Sequence, residues 1–331
     1  MIKNNVLFGI NDWLFLYNGG QNQFDYLQGK KIVEDESVNN FVTNIQLRSK
    51  YCEEKNINFC HIVFPSKPVV KKRYLPDHYD NIHSLYQKYY KSHIGNNKNI
   101  FYPLEELMKL ESSYSTFFKY NTHNSDHGYF EIVRNVLKRI DRDVDFDDYI
   151  DCLEEKNVAG DLAKMASLNA VNKEIFIKFK PGFNIYRTGN RDFIQGNSND
   201  VVVLHNINSL TQKRLLAFGD SFLKGALEFL KFYFKEILYV RSSFFHKDMI
   251  ENYSPDVVFT SNAERYLCNV ESDRVANNFI MALYGDHDFK PSRKYADSFS
   301  ALMSYKFYPH LYNRWLEGVE EELKDPNYNA S

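Results

Sequence analysis

The stretch Arg214-Leu215-Leu216-Ala217-Phe218-Gly219-Asp220-Ser221-Phe222-Leu223-Lys224-Gly225-Ala226-Leu227 decides the fold. Its first residues, Arg214–Phe218, form a short apolar run of strand length. From Phe222 to Phe234 the apolar residues return at helical spacing, with Gly225 tolerated inside the pattern. Gly-Asp-Ser lies between the two. A buried strand that turns at once into a helix is the βα step of an open α/β sheet, in which ligands bind at the carboxyl ends of the strands. Gly219 allows the tight turn. Asp220 or Ser221 suits the helix N-cap, because either side-chain oxygen can accept a first-turn N–H. A serine at this place is also exposed beside N–H groups able to hold an oxyanion. Ser221 therefore reads either as a cap or as a nucleophile, with Gly219 and Asp220 shaping the site.

Outward from this junction the same rhythm continues. Ile57–Phe64, Val201–His205, Ile237–Val240 and Val257–Thr260 read as strands, and residues 40–54, 82–94 and 126–140 as helices. The expectation is an α/β fold with a largely parallel central sheet flanked by helices. One domain over residues 1–285 carries an insertion near 145–200, read as loops and short strands. Residues 286–331 read as a C-terminal helical extension of the same domain. No internal repeat appears.

Composition narrows the function classes. The chain has 331 residues, with 41 Lys+Arg against 43 Asp+Glu and a net charge of −2. That balance argues against nucleic-acid binding driven by phosphate contacts and against a polybasic membrane surface. Gly (14) and Pro (9) are too scarce for a low-complexity or linker-dominated chain. No apolar run is long enough to span a bilayer. The opening, MIKNNVLFGINDWLF, lacks the apolar core of a secretory signal, which predicts a cytoplasmic protein. An export segment ahead of it would move the prediction to the periplasm. Four cysteines without a CxxC pair read as reduced thiols.

A serine nucleophile needs a base. The polar loop Tyr120-Asn121-Thr122-His123-Asn124-Ser125-Asp126-His127 supplies two histidines just ahead of a helix. Asn121 stands two residues before His123, near enough to orient its ring. Elsewhere, Lys67 reads as a solvated loop lysine, as a partner for a sugar carboxylate, or as a residue that shapes the site. Trp13 reads as core or as a sugar-stacking face. Glu264 and Arg265 read as a buried pair or as site lining. Lys71-Lys72-Arg73 reads as a solvated basic run or as a contact for an anionic glycan. Adjacent Asp286-His287-Asp288 seldom converge on one ion, so no metal site is expected. No GxxxxGK[ST] or GxGxxG occurs, and no bound cofactor is expected.

Together these blocks resemble the SGNH hydrolase-like superfamily, in particular its alginate O-acetyltransferase-type group. Gly219-Asp220-Ser221-Phe222 resembles the nucleophile block, and Asn121-Thr122-His123 resembles an Asp-Thr-His block that precedes the serine. Ordinary SGNH esterases place an Asp-x-x-His after the serine. Here the only Asp-x-x-His is Asp80–His83, well upstream. Gly9–Leu16 with Trp13, Phe64-Pro65-Ser66-Lys67 with Tyr74-Leu75-Pro76, Gly160-Asp161-Leu162, and Pro255–Val258 with Glu264–Leu267 resemble further blocks in the same order. The resemblance spans about residues 6–285.

What the resemblance implies is a three-layer SGNH-like fold and O-acetyl transfer to a sugar of a bacterial surface polysaccharide, such as a capsule or exopolysaccharide. By position, Ser221 is the nucleophile and His123 the base. Asn121 stands where the family has aspartate. An asparagine orients an imidazole but gives an imidazolium no charge, so Asp126 becomes the alternative acid. Lys67, Trp13, Tyr120 and Arg265 are the candidate substrate-binding residues. The implied acceptor is a carbohydrate or polysaccharide, and the implied donor is acetyl-CoA or a membrane-bound acetyl-donor partner. An O-acetyl esterase differs only in taking water as acceptor. A catalytically weak glycan-binding scaffold is the alternative that Asn121 motivates.

Overall fold

The computed structural model describes residues 1–79, 81–141, 146–194, 199–279 and 290–325. They gather into two compact units. The first comprises Met1–Ile45, His61–Pro181 and Asn262–Glu271, and the second Gln46–Cys60, Gly182–Ser261 and Ser272–Ser331.

In the first unit, β1 (Ile2–Lys3), β2 (Val6–Phe8) and β3 (Leu14–Leu16) form a small antiparallel sheet. Strand β4 (Asn58–Phe64) begins in the second unit and ends in the first, where it runs parallel to β5 (Ile100–Phe101). Strands β6 (Ile150–Val158) and β7 (Asn172–Phe179) make an antiparallel hairpin. Val6 and Leu14 pack with Leu162, Ala163 and Ala166 in a small core.

The second unit holds β8 (Ile185–Gly189), β9 (Val201–Asn206), β10 (Arg214–Phe218), β11 (Glu236–Val240) and β12 (Val257–Ala263). They pair in the order β12-β10-β11-β9-β8. Strand β10 is parallel to both neighbours, with Leu216 opposite Leu238 and Val258. Strands β9 and β8 run antiparallel at the other side. All five residues of β10 are buried. Leu216 and Phe218 share a core with Met249, Ile250, Tyr253, Leu302 and Tyr312, so Leu215 and Ala217 point to the opposite face. The helix Ser221–Tyr233 buries Phe222, Leu223, Ala226, Leu227, Leu230 and Tyr233, an i, i+4, i+8 stripe. Each Leu or Phe among them contributes roughly 1.5–3 kcal/mol when fully buried.

The α/β class with a mostly parallel central sheet is thus the observed architecture. The stretch near 145–200 contains more regular structure than expected. It holds the β6–β7 hairpin of the first unit, and β8, which extends the sheet of the second. The C-terminal stretch forms helices Arg293–Ser304 and Pro309–Glu322. A buried polar cluster anchors them. Arg214 Nε donates to Glu236 Oε1 at 2.8 Å, and the Tyr312 hydroxyl donates to Glu236 Oε2 at 3.0 Å. The Arg214 guanidinium lies over the Tyr253 and Tyr305 rings. Burial raises the Glu236 pKa, but Arg214 and His205 outweigh it and hold the carboxyl at about 2. Among the described residues no helix is long and apolar enough to cross a membrane.

Candidate active site

The nucleophile candidate sits where β10 ends. Asp220 is the N-cap of the helix Ser221–Tyr233, and its carboxylate accepts the Phe222 N–H at 2.9 Å. Ser221 is the first helical residue and half-buried. The Tyr239 hydroxyl reaches the carbonyls of Gly219 at 3.1 Å and Asp220 at 2.9 Å, tying the turn to β11. Gly219 is required here for space rather than for a left-handed backbone. A Cβ on it would lie 2.2 Å from Ser261 Oγ and 2.9 Å from the Leu223 side chain. The cap reading therefore belongs to Asp220. Ser221 is also next to a helix N-terminus, where developing negative charge is favoured.

The base candidate lies in the first unit, on the loop ahead of the helix Asp126–Ile140. Asn121 Oδ1 accepts two hydrogen bonds, from the His123 backbone N–H at 3.0 Å and from His123 Nδ1 at 2.8 Å. The backbone donor settles which way the amide points, because the NH2 group cannot face an N–H. Nδ1 then carries the proton, and Nε2 is the basic nitrogen. The carboxylate brought to this ring is Asp161. Its Oδ2 lies 3.7 Å from His123 Nδ1. Its two oxygens hold the intervening residue: Thr122 N–H donates to Oδ1 at 2.8 Å and the Thr122 hydroxyl donates to Oδ2 at 2.6 Å. The Thr122 oxygen is 3.2 Å from His123 Nδ1.

The loop is clamped from two sides. The Tyr120 carbonyl accepts from the N–H groups of Leu162 (3.1 Å) and Ala163 (3.4 Å). Gly160 lies flat against the same carbonyl, so close that a Cβ would stand 1.8 Å from the oxygen. On the other side Lys67 Nζ donates to the carbonyls of Leu14 (2.7 Å), Phe118 (2.8 Å), Lys119 (2.9 Å) and Asn121 (2.8 Å). Burial presses the Lys67 pKa well below the ordinary lysine value, against the attraction of Asp161.

Several sequence expectations change on these facts. Lys67 is 4% exposed and binds carbonyls, so it is neither a solvated lysine nor a partner for a sugar carboxylate. Trp13 is 8% exposed, stacked on Tyr74 at 4.7 Å with the Lys71 ammonium 4.4 Å from its ring centroid, and is core rather than a sugar platform. Lys71 leaves the expected solvated run, since it is buried and pairs with Glu111 at 2.6 Å. Glu264 is filled by neutral donors, the N–H groups of Ser66 and Tyr86 and the hydroxyls of Ser84 and Tyr102, in place of Arg265. Arg265 lies over the Tyr266 ring. Tyr120 is half-buried against the Val6, Leu14 and Leu162 core. Asp126 opens its helix and accepts the Ile177 N–H of β7 at 3.0 Å, a tie between helix and hairpin. The acid placed beside His123 is Asp161. His127 stacks on Tyr114 and is buried, which lowers its pKa. Asp80 and Asp286-His287-Asp288 fall outside the described residues. Among the described residues no group of three metal-capable side chains converges.

Asp161 was the missed residue. Its signal was a Gly-Asp-Leu element whose glycine and acid had no reading of their own in the sequence. A glycine followed by an acid that opens a helix predicts both a close backbone approach and a placed carboxylate.

No family model matches the chain, and no curated protein matches it. Solved structures do. PatB1 of Bacillus cereus is 17% identical with a TM-score of 0.54, over 80% of this chain and 99% of that one. The chain shares the fold of PatB1. Two further similar structures are more distant. A DHHW family protein from Eubacterium siraeum is 15% identical with a TM-score of 0.49, over 82% of this chain and 94% of that one. The O-acetyltransferase domain of Pseudomonas putida AlgJ is 14% identical with a TM-score of 0.46, over 84% and 97%.

Proposed function

We propose that this chain transfers an acyl group, acetyl in the first instance, to a sugar hydroxyl through an acyl-Ser221 intermediate. The observation that carries the reading is the His123 ring. Asn121 fixes its Nδ1–H tautomer at 2.8 Å, and a carboxylate stands 3.7 Å behind it. That is how a general base is prepared: one nitrogen held, the other left basic. In the proposed sequence His123 Nε2 takes the Ser221 hydroxyl proton as Ser221 Oγ attacks the donor carbonyl. Helix N-terminal N–H groups hold the oxyanion, and His123 returns the proton to the leaving group. A sugar hydroxyl then gives its proton to His123 and attacks the acyl carbon, and Ser221 leaves with that proton. Acetyl-CoA or an acetylated partner is the proposed donor, and a polysaccharide or its sugar precursor the proposed acceptor.

PatB1 has also been determined with a sulfonyl adduct. A sulfonyl fluoride is accordingly a suitable probe here, because such reagents trap activated nucleophiles. The test is intact mass after p-nitrophenyl acetate or a sulfonyl fluoride, on wild type, Ser221→Ala and His123→Ala. An adduct lost in Ser221→Ala and slowed at least 100-fold in His123→Ala is expected. Equal labelling of all three proteins would remove the acyl-serine reading and leave a glycan-binding role.

A further inference from the structure

We propose that Asp161, acting through the Thr122 hydroxyl, gives His123 the negative charge that Asn121 lacks. Orientation and charge, which a triad aspartate combines, are here divided between two residues 40 positions apart in the chain. The inference rests on the reading of His123 as the base.

Asn121 alone is an incomplete partner. Its Oδ1 aligns the ring through Nδ1, but an amide is neutral and does little to stabilise the imidazolium formed when the serine proton is taken. Asp161 is placed to supply the remainder. Its carboxylate is held by both donors of Thr122, at 2.8 and 2.6 Å, so its position relative to the adjacent His123 is set by one residue. Because the Thr122 hydroxyl donates to Asp161, its oxygen offers lone pairs to Nδ1–H at 3.2 Å. The Nδ1 proton thus has two acceptors, the Asn121 amide oxygen and a hydroxyl polarised by a carboxylate. Through-space attraction adds to this at 3.7 Å.

Two further charged side chains bear on this loop. Lys67 reaches the Asn121 carbonyl from the β3 side, and a positive charge there opposes protonation of His123. Glu174 on β7 accepts the Lys119 N–H at 2.8 Å and adds a more distant negative charge. Asp161 stands nearest the ring, and Gly160 keeps it there by letting the backbone lie against Tyr120. Asp161 is a positioning residue in this scheme, since it reaches the reacting atoms only through His123.

The experiment uses the full chain with Asp161→Asn, Asn121→Asp and the exchange Asn121→Asp/Asp161→Asn. Two readouts are taken: the Ser221-dependent acetylation rate with p-nitrophenyl acetate across pH, and the NMR titration of the His123 ring. Asp161→Asn is expected to cut the rate roughly tenfold or more and to lower the His123 titration by about one pH unit, with KM unchanged. The exchange, which keeps one carboxylate at the loop, is expected to restore both. A merely structural Asp161 would not be rescued by a carboxylate at position 121. An unshifted titration in Asp161→Asn, or an exchange that rescues neither readout, overturns the assignment. The titration reads the Asp161 effect independently of turnover. A wild type with no Ser221-dependent acetylation but a shifted titration would refute the proposed function while sustaining the charge assignment.

Discussion

Gly160→Ala is the most demanding perturbation for the loop geometry. The added methyl carbon would stand 1.8 Å from the Tyr120 carbonyl oxygen, 2.1 Å from its carbon and 2.8 Å from the Asn121 nitrogen. A non-bonded carbon and oxygen approach to about 3.3 Å, so the two backbones must part by roughly 1.5 Å. The clash involves backbone on both sides, and no flexible side chain can give way. Gly160 precedes Asp161, and Tyr120 precedes Asn121. The movement therefore separates Asp161 from the Thr122–His123 pair and strains the two N–H bonds to the Tyr120 carbonyl. Overpacking of this kind costs about 1–3 kcal/mol of stability. A displacement of about 1 Å at a catalytic group costs on the order of 100-fold in rate. The assay is the Ser221-dependent acetylation rate, measured where circular dichroism shows both proteins fully folded, with urea unfolding for stability. Gly20→Ala is the matched control, since nothing lies within 4 Å of a Cβ there. A Gly160→Ala protein with wild-type rate and unfolding midpoint would refute the claim that this contact positions the loop.

Two further outcomes follow from the same region. Lys67→Met removes the donor to four carbonyls and is expected to lower unfolding free energy by roughly 2–4 kcal/mol, with a parallel loss of acetylation, read by urea denaturation and the same assay. Burial lowers the His127 pKa below the ordinary value of 6.5. As pH falls through 6.5 the unfolded chain takes up the proton first, so stability declines between 6.5 and the lowered folded value. His127→Phe, which keeps the stack on Tyr114, is expected to flatten this acid slope between pH 7.5 and 5.5, again by urea denaturation. A slope identical to wild type would mean that His246, whose pKa burial also lowers, carries all of it.

The parts of the fold legible in the sequence are those where one period dominates. Strand β10 is a continuous apolar run, and its following helix carries an i, i+4 stripe, so both announce themselves. The β6–β7 hairpin does not. Its register is braced by charges, with Glu154 between Lys156 at 3.1 Å and Lys178 at 2.8 Å, and Glu155 beside Lys173 at 3.1 Å. A strand stabilised by cross-strand ion pairs shows little alternation of hydrophobicity, and the segment reads as loops and short strands rather than as one long hairpin. The C-terminal helices were legible as helices, but not their anchor. The Tyr312 bond to Glu236 joins residues 76 apart, and nothing in the periodicity of either segment encodes it.

The candidate site divides along the same physical line. Asn121 and His123 were legible because their partnership is local: a side chain two residues back both caps and orients. The sequence left Lys67 open between solvated, sugar-binding and site-shaping roles because its partners are backbone carbonyls, which every residue carries and no sequence displays. Asp161 was missed because a charge acts through space, without period and without a fixed separation along the chain. The asparagine at position 121 looked like a loss when judged only against its own block. Judged against the loop as folded, it follows from having a carboxylate already present. A second full charge at position 121 would bring two carboxylates near one imidazole and one threonine hydroxyl. Like charges so close raise each other's pKa and loosen what each holds. In the presence of Asp161 a neutral amide orients His123 without that repulsion, and the Asn121→Asp single variant is therefore expected to gain less than the exchange variant restores.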